Sequence, residues 1–211
     1  CLMVLVALCG FAGGAPEQGK GPVLIGMQGP ITGAWAYEGQ MAKQSCEIAA
    51  ALINQKGGIG GRQVQIVAED DAGEPKTGAL AATKMTGHKG VAASVSTYGS
   101  SVCEPASNIY EKAKMVNIGY GVTAVRLTER GLKYFFRTCG RDDSQGLFFA
   151  EYVPQKFNAR RIAIMHDNTA FGKGLAENTR DALKAMIDAG KVQIVYYDAV
   201  TPGEKDFRVP L

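Results

Sequence analysis

The sequence is poor in the groups that usually announce chemistry. Its five cysteines, Cys1, Cys9, Cys46, Cys103 and Cys139, form no C-x-x-C pair, which argues against a zinc site and against a disulfide framework. Cys46 falls in an apolar helical run and is expected to act as a small buried hydrophobe. Two histidines, His88 and His166, are too few for a His-rich metal site. His166 and Asp167 are neighbours, but no G-x-S-x-G elbow supplies a nucleophile for a triad. No G-x-x-x-x-G-K-[ST] run occurs, and the Gly-rich loop at 26–33 lacks G-x-G-x-x-G spacing, so a nucleotide-dependent enzyme has little support.

Charge of one sign is also lacking. Lys and Arg number 23 against 20 Asp and Glu, for a net charge of +3. No basic stripe interleaved with aromatics appears, which excludes the usual nucleic-acid partner. No apolar run reaches the roughly 20 residues of a membrane-spanning helix. The apolar stretch at 2–15, LMVLVALCGFAGGA, fits instead the core and small-residue end of a secretory signal, with a cut near Ala15. Residues 1–21 are therefore read as the remnant of a signal and a leader, although a buried N-terminal strand is the alternative. Leu8 stands where a lipoprotein signal needs a small residue, which argues against lipid anchoring at Cys9. Export implies an oxidising compartment, the periplasm.

What the sequence does contain is alternation. Short apolar or β-branched runs at 22–28, 62–69, 91–97, 115–119, 161–166 and 192–198 read as strands. Between them, 38–56, 75–87, 104–114, 144–157 and 171–189 read as helices. The first carries Met41, Ala42, Ile48, Ala49, Leu52 and Ile53 at helical spacing and stops at Gly57-Gly58. A short extended run, Tyr134–Thr138, precedes a polar turn. Such alternation predicts an α/β fold with parallel sheets covered by helices. A composition shift near 139–143 divides the chain into a lobe at 22–140 and a partial second lobe at 141–211. With two strands, that second unit buries little surface.

Candidate site residues follow the strand ends, where open α/β sheets place ligands. The loop GPITG after the first strand leads to Trp35, Tyr37 and Glu38. After the third strand, Ser101 and Glu104 have the spacing of a capping box, with Pro105 just inside the helix. Capping alone accounts for that pattern, but unpaired N–H groups and hydroxyls at a helix start also suit a carboxylate. After the fourth strand, Gly121 and Thr123 offer a backbone carbonyl and a hydroxyl, able to accept from an ammonium and donate to a carboxylate. A polar turn explains them equally well.

Taken together, INQKGGIGGRQVQIVAEDDAGEP, EPASNIYE, LTERGLKYFFRT, RRIAIMHDNTAFGKGLA and TPGEKDF resemble the periplasmic amino-acid-binding proteins of the leucine/isoleucine/valine type, the receptors of ABC importers. The resemblance covers about Val23 to Phe207. It implies a type I periplasmic-binding-protein fold, two lobes closing like a flytrap, without catalysis or cofactor. It also implies a branched-chain or related amino acid as ligand and a membrane permease as partner. By the same resemblance Ser100, with Ser101, takes the α-carboxylate. The Gly121 carbonyl meets the ammonium, Thr123 meets both the ammonium and the carboxylate, Tyr37 and Glu38 stand at the rim, and Phe171 faces the cleft from the second lobe.

Departures matter too. Some members join the acidic loop to the serine loop by a disulfide, and both positions are glycine here, Gly73 and Gly99. Glu38 matches a rim aromatic, and Phe171 a Tyr. Members of the family continue beyond GEKDF, and their later part supplies the acidic partner of the ammonium, so the second lobe is expected to be incomplete. A sensor of amides or amino acids acting on a regulatory partner is the alternative role.

Overall fold

The computed structural model describes residues 21–207. The signal, the Cys9 reading and the last residues lie outside them. Among the described residues no helix is long and apolar enough to cross a membrane.

The first layer is a five-stranded parallel sheet in the order β2-β1-β3-β4-β5. Its strands are β1 (Val23–Gly29), β2 (Val64–Asp70), β3 (Val91–Ser96), β4 (Val116–Gly119) and β5 (Phe135–Arg137). The expected short extended run at 134–138 thus becomes the edge strand. Helices α1 (Ala36–Gln55), α2 (Pro75–Gly87) and α3 (Ser100–Lys112) connect them. The chain then enters α4 (Asp142–Phe157), β6 (Arg161–His166), α5 (Ala170–Asp188) and β7 (Gln193–Ala199). There β6 and β7 pair in parallel as a two-stranded sheet.

Strand order reverses between β1 and β3, so the loops leaving them part and open a crevice at their carboxyl ends. Register brings those ends level: Gln28 pairs with Glu69 on one side and with Ser96 on the other. Beneath the crevice lies a buried polar network. Gln28 donates to Asp71 at 3.3 Å and to the Gly78 carbonyl at 3.2 Å, and accepts from Tyr110 at 2.8 Å. Asp71 also accepts from the Thr97 hydroxyl and, at 3.0 Å, from the Gly73 amide. Burial pushes its carboxyl above the usual range, against these hydrogen bonds. Each polar group there has a partner, which is what makes its burial tolerable.

Apolar packing follows the layers. Ala82, Met85, Val91, Ala106 and Tyr110 pack beneath α2 and α3, while Cys103, Val122, Ala124, Leu127 and Phe135 fill the far end. The second layer has a smaller centre, Ala150, Leu183 and Val192.

Two local expectations are corrected. The apolar stripe of α1 does not face the sheet: Met41, Ile48 and Leu52 are exposed, and the helix instead buries Gly39 and Ala50. Asn54 fixes that orientation by bonding both the N–H and the carbonyl of Val64, at 2.6 and 2.9 Å. Cys46 is consequently half-buried rather than enclosed. Second, α3 begins at Ser100, four residues earlier than expected, and no capping box forms. Its N-cap is Gly99, without a side-chain hydrogen bond, and Pro105 lies inside the helix. Glu104 is drawn away by Arg126, which donates to it at 3.1 and 2.5 Å.

Candidate functional site

A cavity of about 400 Å³ lies between the two layers at the crevice. The β1–α1 loop contributes Trp35, the loop after β3 contributes Tyr98, and the start of α3 contributes Ser100 and Ser101. The loop after β4 brings Gly121 and Thr123, and the second layer adds Gln145, Asp167, Thr169 and Phe171. Ser100, Ser101, Gly121, Thr123 and Phe171, all expected at the site, are therefore brought together. Tyr37 and Glu38 are not. The turn before α1 places Trp35 against the cavity, while Tyr37 is 73% exposed and Glu38 half-buried away from the lining. Another cavity, of about 500 Å³, lies among α4, α5 and β6 with a mainly apolar lining. It has no comparable convergence of hydroxyls.

The hydroxyls differ in the end they offer. Ser100 is buried, and its Oγ accepts from the Ala124 amide at 3.1 Å. Its single proton stays free, so Ser100 is a donor at the start of a helix whose dipole favours an anion. Ser101 is used differently: its Oγ accepts from the Ala170 amide, at 3.0 Å, across to the first turn of α5. It satisfies an N–H that the local N-cap, Thr169, leaves free while accepting from Gly172 at 3.0 Å. Ser101 thus ties the two layers together.

Gly121 accepts from Gly99 N at 3.3 Å, which leaves the carbonyl a second lone pair. Thr123 Oγ1 is covered and stands beside the fully buried Asp142; among the described residues neither it nor the two carboxylate oxygens makes a hydrogen bond of full geometry, although the hydroxyl is near enough to act on the carboxyl. Burial pushes the Asp142 carboxyl up, while Thr123 and Arg137 nearby draw it down. The Asp142 amide donates to the Thr123 carbonyl at 3.0 Å, holding the crossing between layers against the site loop. Sequence reasoning missed Asp142, since an acidic residue after a turn carries no local mark of burial.

An aromatic wall completes the cavity. Trp35 meets Tyr98 edge-on at 5.7 Å, and Tyr98 stacks on Tyr120 at 6.4 Å. Burial raises the Tyr120 hydroxyl well above the usual phenol range. Opposite stands Phe171, at the start of α5. His166 and Asp167 serve the turn before it: His166 Nδ1 accepts from Asn168 N at 3.0 Å, and Asp167 from the Thr169 hydroxyl at 2.7 Å. Among the described residues no group of His, Cys, Asp and Glu is placed to hold a metal.

Comparison with known proteins agrees with this architecture. The profile of the family described as periplasmic binding protein matches residues 22–211. Leu/Ile/Val-binding protein homolog 3 of Brucella melitensis is 39% identical over 97% of this chain and 53% of its own length. Leu/Ile/Val-binding protein BraC3 of Rhizobium johnstonii is 43% identical over 88% of this chain and 49% of its own. The branched-chain amino acid transporter substrate-binding protein LivJ of Streptococcus pneumoniae, solved with isoleucine, superposes with a TM-score of 0.81 at 28% identity, covering 89% of this chain and 52% of that one. The chain thus spans about half the length of the relatives it matches. A benzoate-bound solute-binding protein of R. palustris, 20% identical with a TM-score of 0.76, shares the fold. On these grounds the chain belongs to the periplasmic binding protein family, in company with proteins named for the binding of leucine, isoleucine and valine.

Proposed function

We propose that this chain supplies most of the cleft of an amino-acid receptor for an ABC importer, taking a branched-chain or related α-amino acid in the periplasm. The division at 140/141 makes residues 22–140 the capturing lobe and residues 141–211 part of the closing lobe. The observation that carries the reading is the polarity of Ser100. A buried hydroxyl whose acceptor side is occupied by Ala124 N–H presents a proton to the cavity, and a carboxylate is the matching group. Gly121, with a spare carbonyl lone pair, suits the ammonium beside it. Trp35, Tyr98 and Phe171 give the remaining space an apolar character suited to an aliphatic side chain. Closure of the lobes around the ligand would create the surface that a permease recognises. No step of catalysis is part of this role.

Calorimetric titration with a panel of α-amino acids and their des-amino carboxylates tests it. Saturable binding of branched-chain amino acids, with the des-amino acids weaker by about tenfold or more, supports the proposal. Binding of carboxylates irrespective of the amino group would turn the reading toward a simple organic-acid receptor.

A further inference from the structure

Two glycines hold the cavity's aromatic wall in place. Gly73 lies in the loop between β2 and α2, and Gly99 caps α3; both have positive φ, 74° and 89°. A Cβ built on Gly73 would stand 2.9 Å from Trp35 Cε3, and one on Gly99 2.8 Å from Trp35 Cζ3. Real Cβ atoms do not approach carbon so closely, so the indole rests directly on the two bare backbones. The same two loops are tied below the ring. Asp71 accepts from the Gly73 amide on one loop, at 3.0 Å, and from the Thr97 hydroxyl on the other. The floor under Trp35 is therefore fixed, while its edge meets Tyr98 and its free side lines the cavity.

We propose that Gly73 and Gly99 form a seat that sets the depth of the Trp35 indole, and that this depth determines the size of ligand side chain the cavity admits. The second half rests on the amino-acid reading; the first does not. A methyl group on either glycine would lift a rigid bicyclic ring into the cavity, because the floor cannot sink and the ring has no flexible end to yield. Space would be lost from the side-chain end of the cavity, while the hydroxyl of Ser100 keeps its bond to Ala124. The larger of two ligands would then be penalised more than the smaller.

Trp35 is the one tryptophan of the sequence, so its emission reports the seat without any ligand. In the full chain, Gly73→Ala and Gly99→Ala are expected to shift that emission. Gly131→Ala, at φ 71° with open space around the added methyl, carries comparable backbone strain and should leave it unchanged. Calorimetry then gives the ratio of leucine to valine affinity. Gly99→Ala should lower it about tenfold, in line with the discrimination one methylene provides. In a Trp35→Ala background the same change should leave the ratio where it was. Trp35→Phe, which adds no backbone strain, should move the ratio the opposite way. Unchanged emission in both seat variants would overturn the seat. A ratio that moves equally with and without the indole, or that Trp35→Phe does not move, would overturn the link to ligand size. A wild-type chain that binds no amino acid would overturn the functional reading and with it that link, and the emission alone would then decide the seat.

Discussion

The two layers that meet at the cavity are built on the same β-α alternation but to very different depths. In the first layer, the last four residues of β1 are buried; beneath the crevice Gln28 pairs with Asp71, with the Gly78 carbonyl of α2 and with Tyr110 of α3, and Ser96 of β3 donates to Asn117 of β4. In the second layer β6 alternates exposed and half-buried positions with none fully buried. Its helix α4 leaves Leu147, Phe148 and Tyr152 exposed. The first layer therefore positions its site residues by packing and by a buried hydrogen-bond network that joins several elements. The second contributes Gln145, Asp167, Thr169 and Phe171 to the cavity lining and the Ala170 amide to Ser101. Precision at the site comes from the layer whose groups are over-determined.

The same deletion in each layer should expose this contrast. Leu127 and Leu183 are both buried, at 0% and 1% exposure. Leu127→Ala, in the tightly enclosed far end of the first layer, is expected to cost about 4 kcal/mol in urea unfolding. Leu183→Ala, with a thin core able to collapse, should cost about 2 kcal/mol. Equal costs would contradict the contrast. Removing the network's hub comes next. Asp71→Ala leaves Thr97 and the Gly73 amide without their acceptor and should lower stability by about 3 kcal/mol. If only the first-layer transition shifts, the layers are thermodynamically separable.

Smaller effects sharpen the link between layers. Ser101→Ala removes the bond to Ala170 and should weaken every ligand alike, by roughly two- to tenfold. Ser101→Thr, which keeps the hydroxyl, should restore most of it. An effect that differs between ligands would place Ser101 on the ligand rather than on closure. The smallest change concerns pH. Arg126 holds the Glu104 carboxyl below its ordinary range. Its contribution is present above the unfolded-state pKa and is lost as pH falls through the folded-state value. The pair is substantially exposed, so Glu104→Gln should flatten the acid limb of stability by only a few tenths of a kcal/mol.

Much of this architecture was legible because it depends on local pattern. Strand runs, glycine stops and strand-end loops mark Gly121 and Thr123, and the family resemblance adds Ser100 and Phe171 to the same opening. What stayed hidden depends on partners far along the chain. Ser101-x-x-Glu104 reads as a capping box until Arg126, 22 residues on, takes the carboxylate. Ser101 faces Ala170 across 69 residues. Tyr37 and Glu38 fall outside the cavity lining, where a helix start two residues earlier than expected leaves Trp35 inside. The paired glycines at 73 and 99 could be seen in the sequence, but the indole that makes both necessary could not.

The most direct test of the account is calorimetric titration of leucine into the wild-type chain and its Ser100→Ala variant, with folding of both checked by circular dichroism. Saturable binding to the wild type is expected, with a loss of about 10- to 100-fold on removing the hydroxyl, the worth of a charge-assisted hydrogen bond. Equal affinity in two folded proteins would contradict it.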